Sequence, residues 1–198
     1  MLTNMEEVPM KKRWDVDELL RTSSGYWRGC TLQAGVRLGI FTVLHDRALR
    51  AGELAEKLET DARGSEYLLN ALAAMGLLIK EGQSYRNSDE VRRLLSRQSP
   101  DYMGHIILHH HHILDGWAQL AEVVKLGHPV TTRSYGKEVE RESFLMGMFN
   151  LATQIAPRVA EALDLQDRRH LLDLGGGPGT YAIHFCLANP QLQATIFD

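Results

Sequence analysis

The sequence predicts a mainly helical chain whose final segment, residues 166–198, opens an α/β unit. Three observations support this fold class. Apolar residues recur at helical spacing over most of the chain, a helix–helix–helix–hairpin order occupies residues 1–100, and an apolar strand near the end runs directly into a glycine-rich loop. The 198 residues are 44% hydrophobic and 24% charged, which is ordinary globular usage and excludes disordered, collagen-like and coiled-coil classes.

Charge and cysteine content narrow the function classes. The 22 Lys and Arg residues against 25 Asp and Glu residues give a net charge of -3, which argues against a nucleic-acid partner held by bulk positive charge. Cys30 and Cys186 do not make a secreted disulfide framework. No segment approaches the ~18 consecutive apolar residues of a membrane helix, and charged residues at 11–13 interrupt any N-terminal signal core. We therefore expect a cytoplasmic protein with no membrane partner.

Residues 16–45 open the first predicted domain, which spans residues 1–100. Apolar residues recur there at helical spacing. Each glycine inside a helix costs ~1 kcal/mol, so the glycines of this segment either break it into two helices or allow close helix packing. They are Gly25, Gly29, Gly35 and Gly39.

The rest of this domain predicts two short helices, a hairpin and a further helix. Apolar spacing places the helices at 52–58 and 65–75. Gly82 marks a turn between short strands at 77–79 and 84–86. Asn87, followed three residues later by Glu90, predicts a capping box that opens a helix through Leu95.

This element order is that of a winged-helix domain, which has two functional interpretations. Winged helices bind DNA by placing the helix before the hairpin in the major groove, or they serve as packing and dimerisation modules. The candidate recognition helix, residues 65–75, contains no Lys or Arg. Contacts to phosphates and guanines normally need those side chains, so the sequence favours the second interpretation.

Residues 101–165 are predicted to form a helical connector. One apolar stripe is predicted to run from Ile106 to Val124 and to end at Gly127. A second helix is predicted over 144–156, with Pro157 as the first residue of the next helix.

The histidine run 109–112 lies within this connector and permits two interpretations. His105, His109 and His112 fall at i, i+4 and i+7, on one helix face, which is a spacing that could hold a metal. The alternative is a polar helix face with His110 turned into the apolar stripe. The sequence places no carboxylate or cysteine beside the run, so we predict no metal site; a role for these rings in a substrate pocket stays open.

The last segment predicts a strand, a glycine loop, a helix and a second strand. The first strand covers 171–174, the loop 175–180, and the second strand 194–197 is followed by Asp198. Glycines let the backbone turn sharply and let a ligand approach without Cβ clashes. Asp198, at the tip of the second strand, can accept hydrogen bonds from both hydroxyls of a ribose.

The loop pattern distinguishes between two nucleotide-binding classes. A dinucleotide site of the G-x-G-x-x-G type needs glycine or alanine where this chain has Thr180. The observed pattern is D-x-G-x-G-x-G, on Asp173, Gly175, Gly177 and Gly179. An acid two residues before the first glycine suits a cationic, phosphate-free ligand better than a pyrophosphate. A nicotinamide-dependent oxidoreductase is therefore the weaker alternative.

This pattern resembles motif I of class I methyltransferases that use S-adenosylmethionine (SAM). The similarity extends over essentially the whole chain, in order, to the small-molecule O-methyltransferases of plants and bacteria. The matching segments are residues 34–41 with Leu44, 52–55, 69–72 with 76–78, 85–88, Trp117 with Leu120 and Gly127, Phe144 with Met148, 171–179, and 197–198.

The resemblance implies a fold, a cofactor and a set of site residues. It implies a winged-helix dimerisation domain (1–100), a helical connector lining the substrate pocket (101–165), and the first β-α-β of a Rossmann-like SAM-binding domain (166–198). Phe144 and Met148 would wall the pocket of a phenolic or similar hydroxylated small molecule, in a homodimer. Because an apolar pair at i, i+4 is common in helices, core packing is the alternative role for these two residues. The implied SAM-binding residues are Asp173, Gly175, Gly176, Gly177, Gly179 and Asp198.

The chain departs from the family pattern at its end. The family's catalytic domain continues for several more strands and helices, and none of the nine histidines here matches its general base. The sequence therefore resembles a truncated, N-terminal portion with no assigned catalytic residue, which we expect to be inactive alone. The alternative outside the enzymes is a winged-helix transcriptional regulator with a ligand-sensing domain.

Overall fold

The structure, a computed structural model, describes residues 14–130 and 138–198, and helices dominate there. This confirms the mainly helical class with small sheets. The helices are α1 Val16–Ser23, α2 Gly25–Arg37, α3 Ile40–Leu44, α4 Ala51–Leu58, α5 Ala62–Ala74, α6 Asp89–Leu95, α7 Gly104–His112, α8 Leu114–Ala118, α9 Leu120–Leu126, α10 Glu138–Thr153, α11 Ala156–Ala162 and α12 Thr180–Ala188. The strands are β1 Leu49–Arg50, β2 Leu78–Glu81, β3 Ser84–Asn87, β4 His170–Leu174 and β5 Gln193–Phe197.

The glycines of the first predicted helical segment act in both of the expected ways. Gly39 has a φ of +77° and separates α2 from α3, a left-handed conformation that glycine adopts without strain. Gly35 is buried, and a Cβ there would lie 3.0 Å from the ring of Phe41 and 3.1 Å from Leu72. The segment therefore breaks at Gly39 and packs closely at Gly35.

The core of the N-terminal part is an apolar cluster enclosed by α3, α4, α5 and the hairpin. Its central side chains have no exposed area, and burying each contributes ~1.5–3 kcal/mol to folding. They are Phe41, Leu44, Leu54, Leu69 and Leu72.

Helix α5 begins three residues before the predicted start. Asp61 is its N-cap and accepts a hydrogen bond of 2.7 Å from the Gly64 N–H. The helix therefore includes Arg63, whose Nε donates to the Tyr67 hydroxyl at 2.9 Å. The absence of Lys and Arg holds for residues 65–75 but not for the whole helix.

The predicted hairpin forms, and a strand that was not predicted extends it. Glu81 pairs with Ser84 across a turn in which Gly82 has a φ of +62°. β1 pairs antiparallel with β3, which gives the strand order β1-β3-β2. β1 has two residues, too few to show an alternating pattern in the sequence.

The predicted capping role of Asn87 is wrong. Ser88 caps α6, and its Oγ accepts from the Val91 N–H at 3.2 Å. The buried Asn87 side chain instead donates to the carbonyls of Phe41 and His45, at 2.9 Å each. It therefore ties the end of α3 to β3.

The single apolar stripe predicted from Ile106 to Val124 is also wrong. The chain leaves regular helix at Ile113 and at Gln119, so the helical phase is not kept across α7, α8 and α9. Ile106 is buried, whereas Trp117 is 64% and Val124 is 74% exposed.

Helix α10 packs closely against α7. A Cβ at the buried Gly147 would lie 3.1 Å from the Cα of Ile106, so glycine permits this approach. α10 ends at Thr153, three residues before the predicted end. Pro157 is the second residue of α11 rather than its first, because Ala156 begins that helix.

The last segment forms the predicted strand–loop–helix–strand unit. β4 and β5 are parallel neighbours, with Leu171 opposite Ala194 and Leu174 opposite Phe197. α12 connects them and contacts α10 and α11. Parallel pairing brings the carboxyl ends of both strands to one edge, where the glycine loop begins.

Candidate functional site

The glycine loop between β4 and α12 turns sharply, as the sequence predicts. Gly175, Gly177 and Gly179 have φ values of +69°, +53° and +72°. This left-handed region is costly for residues that carry a Cβ. The alternate glycines are therefore required by the path of the backbone.

Two glycines of the loop also lie close to neighbouring side chains. A Cβ on Gly176 would lie 2.6 Å from the carboxylate of Asp173, and one on Gly179 would collide with the Ile196 side chain. Asp173 is half-buried against the loop backbone. It is thus placed to fix the loop's shape.

The other two glycines border open space. A Cβ on Gly175 or Gly177 would meet no atom within 4 Å. A ligand can therefore approach the backbone at these two positions, as the sequence predicts for a nucleotide-binding loop.

Asp198 lies directly across this loop. Its Oδ2 accepts a hydrogen bond of 2.8 Å from the Gly177 N–H, and its side chain is exposed. The Gly175 N–H donates to the Phe197 carbonyl at 2.7 Å, which continues the strand pairing into the loop. The structure thus brings together Asp173, the glycines 175–179 and Asp198 at one edge of the sheet.

Phe144 and Met148 lie one turn apart on α10, and both are half-buried. The ring centroid of Phe144 is 5.2 Å from that of His109 on α7. Helix α10 also contacts α12, the helix that follows the glycine loop. The two side chains are therefore on the helix that links α7 to the loop segment.

Two residues beneath the loop were not assigned a role from the sequence. Thr180 is 2% exposed at the start of α12, and Ile196 of β5 lies under Gly179. The sequence feature that could have pointed to Thr180 is its position: it occupies the site of the small third residue of a dinucleotide-binding loop.

The histidines of α7 contact the helices on either side. His111 Nε2 is 2.9 Å from an Arg37 Nη1 of α2, and His112 Nδ1 is 2.9 Å from Ser143 Oγ of α10. His110 is exposed, so the expectation that it turns into an apolar stripe is wrong. Burial lowers the pKa of His105 and of His111, and the neighbouring Arg37 guanidinium lowers that of His111 further.

Neither a metal-binding cluster nor a membrane-spanning helix occurs in residues 14–130 and 138–198. No group of three or more His, Cys, Asp or Glu side chains in these ranges is arranged to hold a metal ion. Every helix in the same ranges is too short or too polar to cross a bilayer.

Two protein-family models match the chain. A model of the O-methyltransferase dimerisation domain matches residues 20–97. A model of the O-methyltransferase domain matches residues 112–198 and therefore includes α10, the glycine loop and Asp198.

Individual proteins show the same similarity. The chain is 32% identical to a 3-hydroxy-5-methyl-1-naphthoate 3-O-methyltransferase of Streptomyces sahachiroi, over 89% of this chain and 53% of that protein. It is 33% identical to a tetracenomycin polyketide synthesis 8-O-methyl transferase of Streptomyces glaucescens, over 91% and 56%. The crystal structure of human N-acetylserotonin methyltransferase in complex with SAM aligns with a TM-score of 0.80 at 25% identity, over 96% of this chain and 61% of that one. The chain spans about half the length of these curated relatives.

Proposed function

Because the chain belongs to the O-methyltransferase family, we propose that it forms the N-terminal part of a SAM-dependent enzyme that methylates a hydroxyl group of a small aromatic molecule. The observation that carries this proposal is the glycine loop with Asp198 across it. The names of the two Streptomyces relatives support an aromatic acceptor.

The donor site is proposed at the glycine loop, and the residues present fit the group. Open space over Gly175 and Gly177 leaves room for a ligand against the backbone. Asp198 Oδ2 is held by the Gly177 N–H, which leaves Oδ1 for the ribose hydroxyls. Asp173 and Gly176 fix the shape of the loop. When bound, the donor supplies an electrophilic methyl group on a positively charged sulfur.

The acceptor pocket is proposed to use Phe144 and Met148 as an apolar wall. Such a wall would orient a flat aromatic ring and exclude water, so that the acceptor oxygen is positioned for attack. A general base must take the hydroxyl proton as the oxygen attacks. We assign no residue of this chain to that step.

The N-terminal part is proposed to be a winged-helix dimerisation domain, spanning 1–100, which makes the protein a homodimer. The match to a dimerisation domain supports this. So does a set of large apolar side chains, each more than half exposed on α1 and the start of α2: Val16, Leu19, Leu20, Tyr26 and Trp27. Three further assignments stay predictions: the helical connector at 101–165, the Rossmann-like segment from 166, and a cytoplasmic location.

The other two function classes have weaker support. DNA binding needs cations on α5, but its one Arg, Arg63, bonds to Tyr67 on the same helix. A nicotinamide cofactor loop of the G-x-G-x-x-G type needs glycine or alanine at position 180, where this chain has the buried Thr180.

A turnover assay tests the proposal. The protein expressed from its full reading frame should release S-adenosylhomocysteine from SAM when a hydroxylated aromatic acceptor is present. The 198-residue chain alone should stay at the blank rate. Hydride transfer from a nicotinamide cofactor, with no methyl transfer by the full protein to a panel of phenols and hydroxynaphthoates, would contradict it.

A further inference from the structure

Helix α7 contacts two helices, α2 and α10. α2 belongs to the dimerisation part, residues 20–97, and α10 belongs to the methyltransferase part, residues 112–198. Five of the nine residues of α7 are histidines. Three of them make the lateral contacts. His111 contacts Arg37 on α2, His112 contacts Ser143 on α10, and the His109 ring packs near Phe144. Three imidazole rings of α7 therefore contribute to the contacts on both sides of this helix.

The contact between His111 and Arg37 fixes a protonation state. A guanidinium has donors only, so His111 Nε2 must accept the 2.9 Å hydrogen bond, with its one proton on Nδ1. A protonated imidazole has no acceptor. Protonation would therefore break this hydrogen bond, because the His111 Nε2–H and the Arg37 Nη1–H are both donors. It would also bring two positive charges into contact.

The surrounding charges set the direction of this effect. Burial opposes protonation of His111 most, followed by the Arg37 guanidinium of α2 and the adjacent His112, whereas Asp115 of α8 favours it. The net result is a lowered pKa of His111. From α10, Ser143 faces His112 and Glu142 faces His105. The pKa of His105 is also lowered, because burial and Arg97 outweigh Glu142.

We propose that the contact between Arg37 and His111 is a pH-sensitive latch that holds α2 of the dimerisation part against α7. The closed latch requires the neutral ring, and acid opens it. The latch itself does not depend on the proposed donor or acceptor.

The pH range follows from the lowered pKa. The unfolded chain has a histidine pKa of about 6.5, and the folded value for His111 lies below it. The stabilisation is therefore fully present above about pH 6.5. It is lost as the pH falls from there through the folded pKa.

Thermal unfolding from about pH 7 to about pH 5 tests the latch in the whole protein. His111→Gln keeps an acceptor without a titrating ring, and R37Q keeps a donor without the charge. Each should reduce the acid-induced fall in Tm by about 2–4 °C relative to wild type. R28Q, an exposed position on the same helix, and H128Q should leave the fall unchanged.

Two further results decide the outcome if H111Q does not fold. Arg37 is exposed, so R37Q is expected to fold and then carries the thermal test alone. In NMR titrations, the His111 ring of the wild-type protein should titrate below about pH 6.5 and at a higher pH in R37Q. An unchanged fall in Tm in R37Q, or a His111 pKa at or above 6.5, would overturn the proposal.

Discussion

Asp198 Oδ2 accepts a hydrogen bond of 2.8 Å from the backbone N–H of Gly177, across 21 positions of sequence. The bond fixes one oxygen of an exposed carboxylate at the edge of the glycine loop. It links the tip of β5 to the loop that follows β4. A ligand over Gly177 therefore meets a carboxylate that is already oriented.

Alanine substitutions in the loop should separate strain from ligand contact. G177A and G179A both place a Cβ at a positive φ, which costs ~1–3 kcal/mol of stability. Only G179A also collides with Ile196, so it should lower the Tm more. G177A points its Cβ into the open space proposed for SAM, so it should weaken SAM binding. Its loss of stability should be smaller than that of G179A.

Gly82 of the hairpin provides the matched control for these two variants. It has a φ of +62° and open space around its Cβ position. G82A should therefore show the strain alone, with unchanged SAM affinity. Equal SAM affinity in G82A and G177A, both folded, would argue against a ligand over Gly177.

Asn87→Ala should destabilise the N-terminal part. It removes the donor that pairs the carbonyls of Phe41 and His45, and a buried unpaired group costs ~1–3 kcal/mol. Urea unfolding should show a loss of about 2 kcal/mol. Gln83→Ala, at the exposed hairpin turn, should change the free energy of unfolding by less than about 0.5 kcal/mol. Similar values for both would mean that Asn87 is not the tie between α3 and β3.

The proposed dimer should depend on the exposed apolar side chains of α1 and α2. Trp27→Glu places a charge where an apolar contact is expected, and it should weaken self-association at least about tenfold. Light scattering at micromolar concentration gives the mass directly. V124E, on the exposed face of α9 outside the dimerisation match, should leave the mass unchanged. A monomeric wild-type protein would refute the dimer.

Local sequence signals predicted the glycine loop and the hairpin well. The sequence predicts a sharp backbone turn at the glycines, and Gly175, Gly177 and Gly179 make that turn with positive φ values. The approach of Asp198 to the loop follows from the parallel pairing that a strand–helix–strand unit enforces. These features depend on neighbours in sequence or on one supersecondary unit, so a single sequence contains them.

The features that were missed are decided by tertiary contacts. Asn87 and Ser88 are both good caps, and the carbonyls of Phe41 and His45 decide between them. The orientation of His110 depends on where α7 ends. The spacing of apolar residues does not predict where these carbonyls lie. It also does not predict that the helix breaks after α7 and after α8.

Calorimetric titration of SAM into wild-type protein and Asp198→Ala, both expressed from the full reading frame, tests the central claim most directly. The claim is that the glycine loop and Asp198 bind the donor. A net loss equal to one charge-assisted hydrogen bond to the ribose is ~1.5–3 kcal/mol, so D198A should bind SAM about tenfold to a hundredfold more weakly and stay folded. NAD should bind to neither protein. Unchanged SAM affinity in folded D198A, or NAD binding in place of SAM, would contradict the claim.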